Sequence, residues 1–183
     1  MTPNPDQDAL SAENRRGADR QQWASEVAQV IASFPRITFG LAAGGFESGQ
    51  FLVEAVACYG SGLFLAALTC AHATCERELA GRVAYRPHEA PPGWERWGLG
   101  RLIQHAREQA WHPEETLALL SSVNEKRRVV YHFRDFGPDE GLFMRTYAAR
   151  PWRGKPGIRE DMTDQLRVDA LEAIRAALAV RLE

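Results

Sequence analysis

Residues 63–85, LFLAALTCAHATCERELAGRVAY, carry apolar side chains at Leu65, Leu68, Ala71, Cys75, Leu79 and Val83, three or four residues apart throughout. That spacing returns a side chain to one side of an α-helix at every turn. The stretch therefore reads as one long core helix, with His72, Arg77, Glu78 and Arg82 expected on its polar side. Pro87 disfavours helical backbone at the residue before it and closes the segment. The most apolar part, residues 63–68, is soon interrupted by Thr69, His72 and Glu76. It falls well short of the ~20 apolar residues of a membrane span.

The same period continues on both sides. Upstream, Trp23, Val27, Val30, Ile31 and Phe34 define a short helix closed by Pro35. Phe51, Leu52, Ala55, Val56 and Tyr59 define another, entered through the Gly-rich residues 40–49 and ended or kinked by Gly60-Ser61-Gly62. Downstream, residues 86–98 hold three prolines and two tryptophans and read as an ordered loop, because Trp is costly to leave wet. A helix over 99–110 follows, and Pro113, Glu114 and Glu115 open another that runs to about Phe133. Residues 134–162 are rich in Gly, Pro and charge, with a short strand or turn expected at Leu142–Tyr147. Thr163 or Asp164 can cap a last helix whose stripe is Leu166, Ala170, Ala173, Ile174 and Ala177.

The expected fold is thus all-α, a single-domain bundle of five or six helices. Residues 1–22 are polar, hold no apolar run of a secretory leader, and read as a flexible tail ahead of a helical domain over 23–183. A chain of 183 residues suits one domain. With 45% hydrophobic and 25% charged residues it belongs with globular proteins, not with disordered or membrane-spanning ones. A net charge of −2 gives no global basic field for nucleic acid, so any such binding is local. Cys58, Cys70 and Cys75 are odd in number and form no C-x-x-C pair, which fits a reducing, cytoplasmic setting.

One motif carries chemistry. In Glu125-Lys126-Arg127-Arg128-Val129-Val130-Tyr131-His132 an Arg precedes a His by five positions near the end of a core-type helix. Arg82/His88 and Arg107/His112 have related spacings, but Pro87 and Pro113 break the chain beside those histidines. With Leu117–Leu120 ahead of the motif, Tyr59-Gly60 leading into residues 64–67, Glu76 in the long helix, residues 99–103 and Asp169-Ala170 in the last helix, the chain resembles the HEPN superfamily of helical domains. Its mark is an R-x4-6-H motif. The resemblance covers roughly residues 50–135 and implies a metal-independent RNase without cofactor. That enzyme would work as a homodimer, with Arg127 and His132 meeting at the interface. It also implies a possible toxin or defence effector with an antitoxin or other protein partner. Inactive members of the superfamily serve as binding or dimerisation modules. The family usually has Asn, His or Asp directly after the motif Arg, where this chain has Arg128.

A helical wheel leaves the choice of arginine open. Leu119, Val123, Val130 and Phe133 define one side, and Ser121, Glu125, Arg128 and His132 the other. Arg128 shares a face with His132, whereas Arg127 sits about 140° away. Metal-free RNA cleavage needs a base for the 2′-hydroxyl and a cation for the phosphorane, roles that imidazole and guanidinium fill. The plainer alternative has His132 capping helix carbonyls and the arginines paired with Glu125 and Asp135. Arg134, Arg145, Arg150 and Arg153, with Lys155 and Arg159, could track an RNA backbone.

Other groupings are weaker. His72, Cys75 and Glu76 have a spacing that can present metal ligands on one helix face, but Cys75 falls on the apolar stripe and Glu76 better suits pairing with Arg or capping a neighbouring helix; no metal is assigned. Trp94, Trp97 and Trp111 could stack on bases, although a lid over the core is the simpler use.

Overall fold

The computed structural model describes residues 5–34, 42–131, 142 and 158–182 and, within them, all side chains except those of 5–12, 129–131, 158, 159 and 182. Among the described residues the α-helices are α1 (Pro5–Ala32), α2 (Gly45–Gly60), α3 (Phe64–Ala84), α4 (Leu99–Glu108), α5 (Glu114–Tyr131) and α6 (Ile158–Leu182), with a 3₁₀ turn at Trp94–Arg96. No strand occurs among the described residues, and the fold is an all-α bundle. Of Leu142–Tyr147, read as a strand or turn, only Leu142 lies within the described residues.

Helix α3 is the axis of the bundle, touching α2, α4, α5 and α6. Of its expected stripe, Leu68, Ala71, Cys75, Leu79 and Val83 are buried as the period requires, whereas Leu65 in the first turn is 41% exposed. The expected polar face is not uniformly wet: His72 is 7% and Glu78 1% exposed, while Arg77 stays exposed and pairs with Glu47 at 3.2 Å. A helix with neighbours on several sides buries its polar residues too, and these must then find partners.

Helix boundaries differ from the expected ones where propensity and packing extend a helix past its stripe. Helix α1 begins at Pro5 instead of Trp23, so residues 5–22 are helical, with 13–22 exposed throughout. Ala, Glu, Gln and Arg propagate a helix once Val27 and Val30 have anchored its far end in the core. Helix α6 starts at Ile158, ahead of Thr163 and Asp164, with Glu160 and Asp161 placed well for the helix dipole. Helix α2 starts at Gly45, inside the Gly-rich segment. There the chain lies directly on α3: a Cβ at Gly81 would sit 1.8 Å from the Ala43 carbonyl oxygen, so only glycine permits the approach. The Gly44 N–H and the Ser48 hydroxyl both donate to the Glu78 carboxylate, fixing the helix start to α3.

The α2–α3 corner turns at Gly62, whose φ of +78° lies in the left-handed region, and a Cβ there would meet the Trp23 ring at 2.5 Å. Trp23 stands edge-on to Phe64, with ring centroids 5.1 Å apart. A polar tie joins α1, α2 and α6. The Tyr59 hydroxyl donates to Glu26 at 2.7 Å, and Arg167 Nη1 donates to both Glu26 oxygens at 2.8 and 2.7 Å. Burial would raise the Glu26 pKa, but hydrogen bonds from Tyr59, Gln22 and Arg167 prevail and hold it below the ordinary value. Trp94, Trp97 and Trp111 are partly buried against the core, as a lid would be. Among the described residues no helix is long and apolar enough to cross a membrane.

Candidate functional site

The described part of α5 settles which way its two arginines face. Leu117, Leu120 and Val123 are buried, and helical steps of three and four carry that inward side from Leu120 through Asn124 to Arg127. Arg127 is half-buried, with its Nε shielded from solvent. Arg128 lies outside, its side chain 44% exposed and paired with Glu125 at 3.5 Å across one turn. The inward arc is therefore wider than a stripe of Leu119 and Val123 suggested, because α5 packs against α3, α4 and α6 at once. For Arg128 the plainer expectation, a surface ion pair with Glu125, is what the structure shows.

Arg127 meets a polar junction of α3, α4 and α5. His72 of α3 feels its charge, and Asn124 of α5 also acts on the imidazole, favouring its charged form. Burial lowers the His72 pKa; Glu76 and Asn124 pull it upward, Arg127 pushes it down, and the net direction is down. The ring is thus neutral at neutral pH, and its Nε2 is buried with no hydrogen-bond partner among the described residues. Glu76 Oε2 accepts the Leu99 N–H at 3.0 Å, so it caps α4, one of the two roles expected of it. A Cβ at Gly100 would lie 3.3 Å from Asn124 Nδ2, which brings the α4 start against the same cluster. The junction thus gathers a cation, a neutral imidazole, an amide and a carboxylate.

The remaining expected residues divide cleanly. His132, Arg134, Arg145, Arg150 and Arg153 lie outside the described residues, as do Lys155 and the Arg159 side chain. His72, Cys75 and Glu76 do not form a ligand set. Cys75 is fully buried in the core, where burial pushes its thiol pKa up, and Glu76 is engaged at Leu99. Among the described residues no three His, Cys, Asp or Glu side chains converge on a metal position. Sequence reasoning passed over Asn124, since a single polar residue in mid-helix carries no pattern. The signal available was its place one helical turn before Arg127.

On α5's other flank, Lys126 binds Glu172 at 2.7 Å and the buried Asp169 at 3.4 Å, while Ser122 donates to Glu172 at 2.6 Å. Burial would raise the Glu172 pKa, but Lys126 and Ser122 outweigh it and lower the value. This clamp holds α5 to α6, so the turn bearing Lys126 and Arg127 is fixed on both sides. No family model, no curated protein and no solved structure matches this chain.

Proposed function

We propose that this protein is a metal-independent endoribonuclease of the HEPN kind, with Arg127 as its cation and His132 as its base. Support comes from Arg127: of the two arginines in the motif, it is the one seated in a built polar junction, beside His72, Asn124 and Glu76. Arg128 is engaged at the surface with Glu125. In the reaction His132 takes the proton of a ribose 2′-hydroxyl. The 2′-oxygen attacks phosphorus, the bond to the 5′-oxygen breaks, and that oxygen takes a proton from water, while the imidazolium of His132 returns its proton to solvent. The guanidinium offsets the charge that grows on the phosphorane oxygens. The products carry 2′,3′-cyclic phosphate and 5′-hydroxyl ends. A homodimer completes the site by facing two copies of the motif, and a cytoplasmic toxin or defence role under control of a protein partner fits such an activity.

A second reading is a catalytically inactive helical module of the same fold that binds a partner, favoured by the exposed Phe46 and Val53 on α2. Incubating purified protein with RNA in EDTA, beside His132→Ala and Arg127→Ala, separates the two. Cleavage by the wild type alone, leaving cyclic phosphates, is expected, with each variant at least about a hundredfold slower. Intact RNA with a well-folded wild type, or undiminished cleavage by His132→Ala, overturns the enzyme reading.

A further inference from the structure

Arg181 in the last turn of α6 is nearly enclosed, its side chain 7% exposed. Its Nε lies 3.6 Å from Glu78 Oε1, beyond hydrogen-bond reach, and both Nε and Nη1 are buried without a hydrogen-bond partner among the described residues. Glu78 meanwhile takes its hydrogen bonds from Gly44 and Ser48. A buried guanidinium with donors unused is rare enough to ask what it is for.

Arg181 borders a two-lobed groove. The inner lobe, about 210 Å³, is walled by Ile31 of α1, Leu52, Val53 and Val56 of α2 and Leu178 of α6, all apolar. The outer lobe, about 400 Å³, opens past Phe46, Gln50 and Tyr85, with Phe46 83% and Tyr85 69% exposed at its mouth. Arg181, Gly49 and Val53 line both lobes. Gly49 lies against the guanidinium on the α2 side: a Cβ there would come into ordinary contact with Nη1 and Nη2, at 3.7 and 3.8 Å.

We infer that this groove binds a monocarboxylate carried on an apolar chain, the carboxylate on Arg181 and the chain in the inner lobe. An apolar pocket with one placed charged group is the usual form of a small-ligand site, the apolar walls supplying affinity and the charge orientation. A single negative charge fits best, because Glu78 stands beside Arg181 and opposes a dianion such as phosphate. The site is separate from the Arg127 junction and does not depend on the RNase reading.

Calorimetric titration of the full chain tests it with octanoate, 1-octanol and acetate. Octanoate is expected to saturate at one per chain, with octanol at least about tenfold weaker because it forgoes a charge-assisted hydrogen bond. Acetate, lacking the chain, gives no saturable signal. Arg181 is itself buried against Glu78, so the informative variant is Gly49→Leu, which fills the groove and leaves that pair in place. It is expected to fold with an unlowered melting temperature and to lose octanoate binding. Equal affinity for octanol and octanoate, or unchanged binding by Gly49→Leu, overturns the inference. So does the absence of octanoate binding, including the case of a dimer that Phe46→Glu dissociates, which would give the groove to a second copy of the chain.

Discussion

Helix α3 buries a histidine and a glutamate, His72 toward α5 and Glu78 toward α2 and α6, and handles them in opposite ways. His72 gives up its charge: burial depresses its pKa, and the opposing pull of Glu76 and Asn124 does not restore it. Glu78 keeps its charge instead, with hydrogen bonds from Gly44 and Ser48 and the Arg181 cation at 3.6 Å. A buried group is tolerated either by neutralising it or by surrounding it with partners. The two solutions carry different vulnerabilities. The first is sensitive to pH, the second to removal of a partner.

The largest effect is expected at Glu78. Glu78→Leu strands the Arg181 cation and leaves the Gly44 N–H and Ser48 hydroxyl without their acceptor, so urea unfolding should show a loss of about 3–5 kcal/mol. Changing both partners, Glu78→Leu with Arg181→Met, removes the stranded charge and should recover most of that loss. A single variant costing under about 1 kcal/mol would mean that this corner is held by the close contact of Gly81 with residue 43 and not by the carboxylate.

A smaller effect, different in kind, is expected at His72. Its folded pKa lies below 6.5, so as pH falls through 6.5 the unfolded chain takes up a proton that the folded chain refuses. Stability therefore declines below pH 6.5 until the folded pKa is passed, where the loss levels off. His72→Asn should flatten that decline while leaving a second one, below pH 4.5, that belongs to Glu26 and Glu172. Their folded pKa values are lowered, so their contribution is present above 4.5 and lost on further acidification. Denaturant midpoints measured from pH 7.5 to 3.5 separate the two windows. An unchanged slope between 6.5 and 4.5 in His72→Asn would remove His72 from this description.

How much of this was readable from the sequence follows from the same comparison. The α3 stripe and the all-α fold were legible because period is a property of one segment. The α6 stripe of Ala170, Ala173, Ile174 and Ala177 was legible for the same reason, and all four are fully buried. Burial of His72 and Glu78 was not, since it depends on how many neighbours α3 has, which no local pattern records. Nor was the start of α2 at Gly45: it depends on Gly81 and Glu78, more than thirty residues away. The Glu76 cap was half legible, as a carboxylate in search of a donor, without the identity of Leu99. The outward position of Arg128 was legible on a helical wheel, whereas the seating of Arg127 was not, since it depends on how α3 and α4 pack against α5.

Those two arginines provide the smallest effect and the sharpest contrast of inward against outward position. Arg128→Ala removes only an exposed pair with Glu125 at 3.5 Å and should change stability by less than about 0.5 kcal/mol. Arg127→Ala removes a half-buried stem and a charge that depresses the His72 pKa. It should cost more stability than Arg128→Ala and move the imidazole titration upward, a shift that proton NMR of the His72 ring reads directly. The same pair bears on catalysis: if Arg127 is the cation of an RNase, Arg128→Ala keeps its cleavage while Arg127→Ala loses it. Equal stability losses in the two variants, with an unmoved His72 titration, would show that Arg127 is not seated in the junction, and the choice of it as the reactive cation would fall with that result.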